Sequence, residues 1–306
     1  MFEYVRTKFG IGDPAGGERW KRLDLEDIFT SVEIQREFAN PESKESARLL
    51  LIRNKLMRYV QRILGLCTSD GYGVYSRHLV SALALEDSVV SFNYDLLVDQ
   101  EFCQPRPPNP SPKDHYETFE QIVLRGETLG LSGPSGAEGV YVKLHGSLNW
   151  SQCTNPTCPR SGVLEIDRDF QNNLNVRMGR GEARCAVCDG ELVPLLIPPL
   201  LHKPIAENAI VKTAWALAKR RLAAASAVVV IGYSAPPTDF YSRWLLRSTV
   251  GTRTTGDVKV LVVNPENGGN SQFQTRMDSI FPCGYDRTFT HFCQIRQILD
   301  QLGRSI

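Results

Sequence analysis

Four cysteines carry the most specific chemistry in this sequence. Cys153 and Cys158 are spaced C-x4-C, Cys185 and Cys188 are spaced C-x2-C, and 26 residues separate the two pairs. Thiolates delivered as two close pairs from two chain segments make a tetrahedral cage for zinc. The stretch "CAVCDGEL" has a glycine shortly after its second cysteine, which frees backbone amides to turn toward sulfur. Four thiolates complete the coordination shell, so such a site is closed and structural rather than catalytic. The segment between the pairs is too polar to build a core of its own. Structural zinc supplies about 10–16 kcal/mol in small peptides, against about 5–15 kcal/mol for a whole domain, so losing the metal is expected to melt this module. Cys67, Cys103, Cys283 and Cys293 show no such spacing and read as ordinary buried thiols.

His145 stands just before the first pair, in "YVKLHGSLNWSQC". Three roles compete for it: metal ligand, catalytic base, or hydrogen-bonded core histidine. The cysteines already fill a zinc shell, which removes the first. A neutral imidazole near pH 7 can take a proton from a hydroxyl, which keeps the second open.

Similar residues recur at the ends of short apolar runs. "DSVVSFNYD" ends in Phe92, Asn93, Tyr94 and Asp95; "YVKLH" ends in His145, Gly146 and Ser147. "AVVVIGYS" ends in Gly232, Tyr233 and Ser234, and "VKVLVVNPE" ends in Asn264, Pro265 and Glu266. Runs this short and this apolar read as buried strands. Helical segments separate them: 23–38, 44–65 with apolar residues at three- and four-residue steps and Gly65 as its stop, 206–226, the stretch "TDFYSRWLLRSTV", and a last one around "CQIRQILDQLG". Strands apolar on both sides and alternating with helices predict an α/β fold: a doubly wound, Rossmann-like parallel sheet. In that architecture ligands bind outside the carboxyl ends of the strands, where these polar and glycine residues fall.

The expected organisation is one Rossmann-like domain from 1–150 and 195–306, with a helical part at about 24–86 and a zinc-ribbon insertion at 151–194. Residues 1–23, "QPRPPNPSP" (104–112) and "LSGPSGAEG" (131–139) read as loops. The 306 residues are 42% apolar and 23% charged with a net charge of +1. That balance is ordinary for a globular protein and gives no support to a nucleic-acid or anionic-membrane partner. No apolar run reaches the length of about 20 residues needed to span a bilayer, and the first ten residues lack a signal-peptide pattern. A cytoplasmic location is expected.

The order of motifs is specific. "SFNYD", "KLHGSLNW", a cysteine pair, a second pair, "IGYSAPPTD" and "VVNP" together cover about residues 87–270. This order resembles the sirtuin superfamily, and its wording looks most like the bacterial sirtuin-like branch. Members of that branch often cleave NAD and often sit in larger defence or signalling proteins. The resemblance implies that NAD is bound as a substrate. It implies that His145 is the base that activates a ribose hydroxyl, and that Asn93 positions the nicotinamide ribose or the attacking water. It places Phe92 and Asp95 in the cofactor-binding loop, Gly232 and Ser234 at phosphate or ribose, and Asn264 at the adenosine ribose. A protein partner or a second copy of the chain is also conceivable, but no residue pattern identifies one.

Two departures from the family pattern shape the expected activity. Sirtuin-like proteins begin with a strand and a Gly-Ala-Gly-x-Ser turn, where backbone amides meet the diphosphate. Here "FGIGDPAGG" (9–17) has glycines at other spacings. Deacetylating sirtuins carry Phe-Gly-Glu after the zinc module, where "LLIPPLLHK" (195–203) stands here. Prolines cannot donate to an added peptide strand, which favours water or a small molecule as acceptor. The expectation is therefore an NAD hydrolase, with an NAD-dependent protein deacylase or a catalytically weak NAD-sensing module as alternatives.

Overall fold

The computed structural model describes residues 25–68, 74–84, 86–103, 139–167, 177, 180–200, 203–254, 256–289, 291 and 295–302. The glycine-rich 9–17 segment, the proline-rich 104–112 segment and most of 131–139 lie outside the described residues, as do the side chains of Cys67, Cys103 and Cys293; Cys283, expected to be buried, is exposed. The chain divides into two compact units, Met1–Asp70 with His145–Ile205 and Gly71–Leu144 with Ala206–Ile306.

In the first unit, helices α1 (Leu25–Phe38) and α2 (Lys44–Thr68) pack on each other. Ile28, Phe29 and Val32 of α1 and Leu49, Ile52, Leu56 and Met57 of α2 are buried at three- and four-residue steps, which is how a helix turns one stripe inward. Glu33 of α1 reaches Arg53 of α2 at 2.5 Å. Helix α2 does not stop at Gly65 but runs on to Thr68. Gly65 is buried, and a glycine inside a helix costs only about 1 kcal/mol, which packing readily offsets.

The same unit holds a three-stranded antiparallel sheet in the order β4–β3–β5, from β3 (Gly146–Cys153), β4 (Glu165–Ile166) and β5 (Leu192–Leu196). Strand β3 is not among the expected strands: Gly146 and Ser147 read as the end of the run before it, and 151–153 as the start of the insertion. Its polar residues are nevertheless buried, with Ser147 donating to Asn149 Oδ1 at 2.6 Å and Asn149 Nδ2 donating to the Asp167 carbonyl at 2.9 Å. Leu148 and Trp150 are fully buried beside them.

The second unit has the parallel strands that the apolar runs predicted. Strand β1 (Val89–Ser91) pairs with β2 (Tyr141–Lys143), Val89 opposite Tyr141. Strand β6 (Ala227–Ile231) pairs with β7 (Lys259–Val263), Ala227 opposite Lys259 through Ile231 opposite Val263. Parallel neighbours need a crossover, and helix α6 (Phe240–Leu246), continued by a π-helical turn at Arg247–Gly251, supplies it between β6 and β7. Among the described residues no hydrogen-bonded ladder joins the two pairs. Helices α3 (Val74–Ala82), α4 (Leu97–Cys103), α5 (Ala209–Ala224), α7 (Ser271–Ile280) and α8 (Ile295–Gln301) complete the unit.

Helix α5 shows why its sequence folds so. The side chain of Asn208 caps it, accepting from the amides of Ile210 and Val211 at 3.0 and 3.1 Å. Its buried stripe runs from Ile210 to Leu222. Trp215 on that stripe donates from Nε1 to the Leu144 carbonyl at 2.8 Å, fixing the residue that follows β2. The architecture is thus α/β with parallel strands linked through helices, together with a four-cysteine module, as the sequence led us to expect. No helix among the described residues is long and apolar enough to cross a membrane.

Candidate functional site

The four predicted cysteines come together in the first unit. Their sulfur atoms all lie within 4.8 Å of one another, with Cys153 to Cys188 at 3.5 Å and Cys158 to Cys185 at 3.9 Å. A disulfide would require about 2.05 Å, so these are not disulfides. Four sulfurs on a tetrahedron of about 2.3 Å bonds stand about 3.8 Å apart, which is the spacing found. Two amides already point at sulfur, Arg160 N at Cys158 and Gly190 N at Cys188, each at 3.4 Å. Such bonds stabilise thiolates. In the absence of metal, the Gly190 amide draws the Cys188 thiol down to about 7. The Asn155 amide favours the Cys153 thiolate too, but burial and the neighbouring sulfurs outweigh it and push that thiol up to about 12. A dication removes this conflict by taking all four as thiolates. Cys153, Cys158, Cys185 and Cys188 therefore fit a structural zinc ion.

His145 also belongs to the first unit and is buried, 7% exposed. Its carbonyl accepts from the Ile197 amide at 2.8 Å. Gly146 beside it has φ +81°, a left-handed conformation that glycine adopts at no steric cost. Here β3 approaches β5 so closely that no side chain fits at Gly146. The His-Gly pair is therefore a fixed backbone corner at the start of β3.

In the second unit, the carboxyl ends of β1, β6 and β7 meet around Tyr233. Phe92, just past β1, lays its ring against that of Tyr233, centroids 5.1 Å apart and planes tilted by 31°. Asn264, just past β7, donates from Nδ2 to the Tyr233 carbonyl at 3.3 Å, and its Oδ1 accepts from the Glu266 amide at 2.9 Å. Gly232 has φ +68° with open space where a side chain would stand, and its amide donates to Val263 at 2.9 Å. The Ser234 carbonyl accepts from Arg276 Nε at 3.0 Å, and Arg276 in turn faces Glu266 at 3.6 Å. Ala235 follows with φ +49°, so the turn after β6 carries two left-handed residues within four positions. Phe92, Gly232, Ser234 and Asn264 are thus brought to one place.

Asn93 is exposed in the loop after β1, its amide donating to Ser91 Oγ at 3.2 Å. Asp95 caps helix α4, its Oδ1 accepting from the Leu97 amide at 3.1 Å. Tyr233 was not foreseen, although it sits inside a motif that was. Burial, and then the charge of Asp239, raise its phenol above the ordinary range; its hydroxyl lies 3.2 Å from Asp239 Oδ2. Lys143, Asp99 and Tyr141 were missed entirely, because a lysine in a five-residue run gives no sign of being buried.

No family model matches the chain, and no curated protein matches it. Solved structures do. One is Sir2 in complex with the inhibitor EX-527, 2'-O-acetyl-ADP-ribose and a deacetylated p53 peptide: 14% identity, 76% of this chain and 73% of that chain covered, TM-score 0.40. Another is Sir2 with a p53 peptide and NAD+: 13% identity, 76% and 70% covered, TM-score 0.39. A third, described as the structural basis for the mechanism and regulation of Sir2 enzymes, has 14% identity, covers 92% and 83%, and has a TM-score of 0.43. At this identity and superposition each is a likeness only.

Proposed function

We propose that the chain is a sirtuin-like NAD-binding protein that cleaves the nicotinamide–ribose bond of NAD, with water as the acceptor. The observation that carries this reading is the meeting of the "SFNYD", "IGYS" and "VVNP" motifs. Three motifs whose meeting residues lie up to 172 positions apart in sequence come to one edge through Phe92, Tyr233 and Asn264. An edge of parallel strands lined by glycine, amide and hydroxyl groups suits a ribose and phosphate ligand.

The chemistry follows from the residues. Breaking the bond to nicotinamide builds positive charge on the sugar. In this reading His145 takes a proton from a neighbouring ribose hydroxyl and leaves an oxygen that stabilises that charge. Asn93 orients the sugar or the water. Gly232 lets the diphosphate approach the backbone, and Asn264 and Ser234 hold ribose or phosphate. Phe92 and Asp95 shape the loop around Asn93. The zinc module plays no chemical part.

Pro198 and Pro199, just beyond β5, support water over a peptide as acceptor, because neither can donate a bond to an added strand. The test is chromatographic: incubate purified protein with NAD, with and without an acetyl-lysine peptide, and quantify nicotinamide. Release that does not depend on peptide is expected. Release only with peptide would convert the reading to a deacylase.

A further inference from the structure

Lys143 ends strand β2 with 1% of its side chain exposed. Burying an ammonium costs several kcal/mol unless a counter-charge is present and its protons are all accepted. Here they are. Nζ donates to the carbonyl of Tyr94 at 3.3 Å, to the carbonyl of Asp95, and to Asp99 Oδ2 at 3.1 Å. Lysine has three donors and no acceptor, so the set is complete. Asp99 is itself fully buried, and the same Oδ2 accepts from the Tyr141 hydroxyl at 2.7 Å.

What this network holds is the short turn between β1 and α4. The two carbonyls drawn to the ammonium are those directly after Asn93. The turn is pinned at its other side by the Phe92 ring on Tyr233 and at its end by the Asp95 cap. The side chain of Asn93 is exposed, so its aim depends on its backbone. A buried ion pair is weak evidence of stability, because apolar residues of similar volume often do as well or better. What an apolar pair cannot do is grip two consecutive carbonyls.

We propose that Lys143 is a positioning residue: its ammonium, backed by Asp99 and Tyr141, fixes the Tyr94–Asp95 backbone and thereby aims Asn93 at the reacting sugar. This rests on the NAD-cleaving reading above. Lys143 acts only through Asn93 and touches no substrate.

The test uses the full chain and two variants. Lys143→Met leaves Asp99 buried and unpaired and is expected to lose both stability and loop order. The double variant Lys143→Met with Asp99→Leu removes both charges at similar volume but takes a partner from the Tyr141 hydroxyl and from the two carbonyls, so its thermal midpoint recovers only part of the loss. Hydrogen exchange over residues 92–97 is read against strand 227–231, and kcat and KM for nicotinamide release are measured on the same samples. In the double variant the 92–97 segment exchanges about tenfold faster while 227–231 is unchanged. Its kcat falls by about a hundredfold, as expected for a misplaced catalytic group, with KM within about threefold. A folded double variant with wild-type exchange over 92–97, or with wild-type kcat, overturns the proposal. If the double variant fails to fold, Lys143→Arg decides. It keeps the charge but presents a planar fork that does not match these three acceptors, so faster exchange over 92–97 supports the proposal and unchanged exchange overturns it. Should the wild-type chain release no nicotinamide, the functional reading fails on its own, and exchange alone decides whether the clamp exists.

Discussion

A β-carbon placed on Gly146 would stand 2.0 Å from the carbonyl oxygen of Leu195, closer than any non-bonded contact allows. The glycine after His145 is therefore demanded twice, by that approach and by its φ of +81°. Gly146→Ala should destabilise the first unit by about 3–5 kcal/mol, from backbone displacement plus the left-handed penalty. Urea unfolding would show this as a lower midpoint with an unchanged slope. A shift under about 1 kcal/mol would mean that the β3–β5 approach is looser than described.

The zinc cage predicts a stoichiometry. Purified protein should carry one zinc per chain by elemental analysis, and Cys185→Ser should abolish it, because the remaining three thiolates leave the shell open. Chelation should unfold the segment around the cysteines, seen as rapid proteolysis between Cys158 and Cys185. Full protease resistance after metal removal would contradict a structural role.

Tyr233 predicts an alkaline limb. Burial and Asp239 raise its phenol in the folded state above the unfolded value of about 10. Above that pH the unfolded chain has already lost the proton and the folded chain has not, so stability falls as pH rises. Tyr285 is raised as well, chiefly by burial, and contributes to the same limb. Tyr233→Phe keeps the ring contact with Phe92 and should flatten the limb in part. An unchanged pH profile of thermal midpoints would show that the Tyr233 phenol is not held protonated.

Asn264 is committed inside the protein at both ends of its amide. Asn264→Ala should cost about 1–2 kcal/mol without any ligand, from the lost cap on Glu266 and the lost bond to the Tyr233 carbonyl. Asn264→Asp keeps the acceptor and should recover part of that loss. If neither substitution moves the midpoint, the Asn264 amide does not hold the turn after β6.

Much of this was legible in the sequence because the signals were local. Paired cysteines at short spacings announced the cage, and β-branched runs announced β1, β2, β6 and β7. What escaped detection depends on partners far along the chain. Strand β3 is polar at Ser147, Asn149 and Ser151 and lacks the continuous apolar run by which the other strands were recognised. Lys143 lies 44 residues from Asp99, and nothing in "YVKLH" reveals that its ammonium is enclosed. Gly65 looked like a helix stop because its burial is a tertiary fact. The roles of Asn93 and His145 come from a motif resemblance, which spacing alone does not supply.

The most direct test of the account is nicotinamide release from NAD, without peptide, by the wild-type chain beside His145→Ala. The account predicts steady release by the wild type and a fall of about 100- to 10,000-fold in the variant, the loss expected when a general base is removed. Equal release by both proteins would show that His145 is a structural corner residue, and none by either would contradict NAD cleavage by this chain.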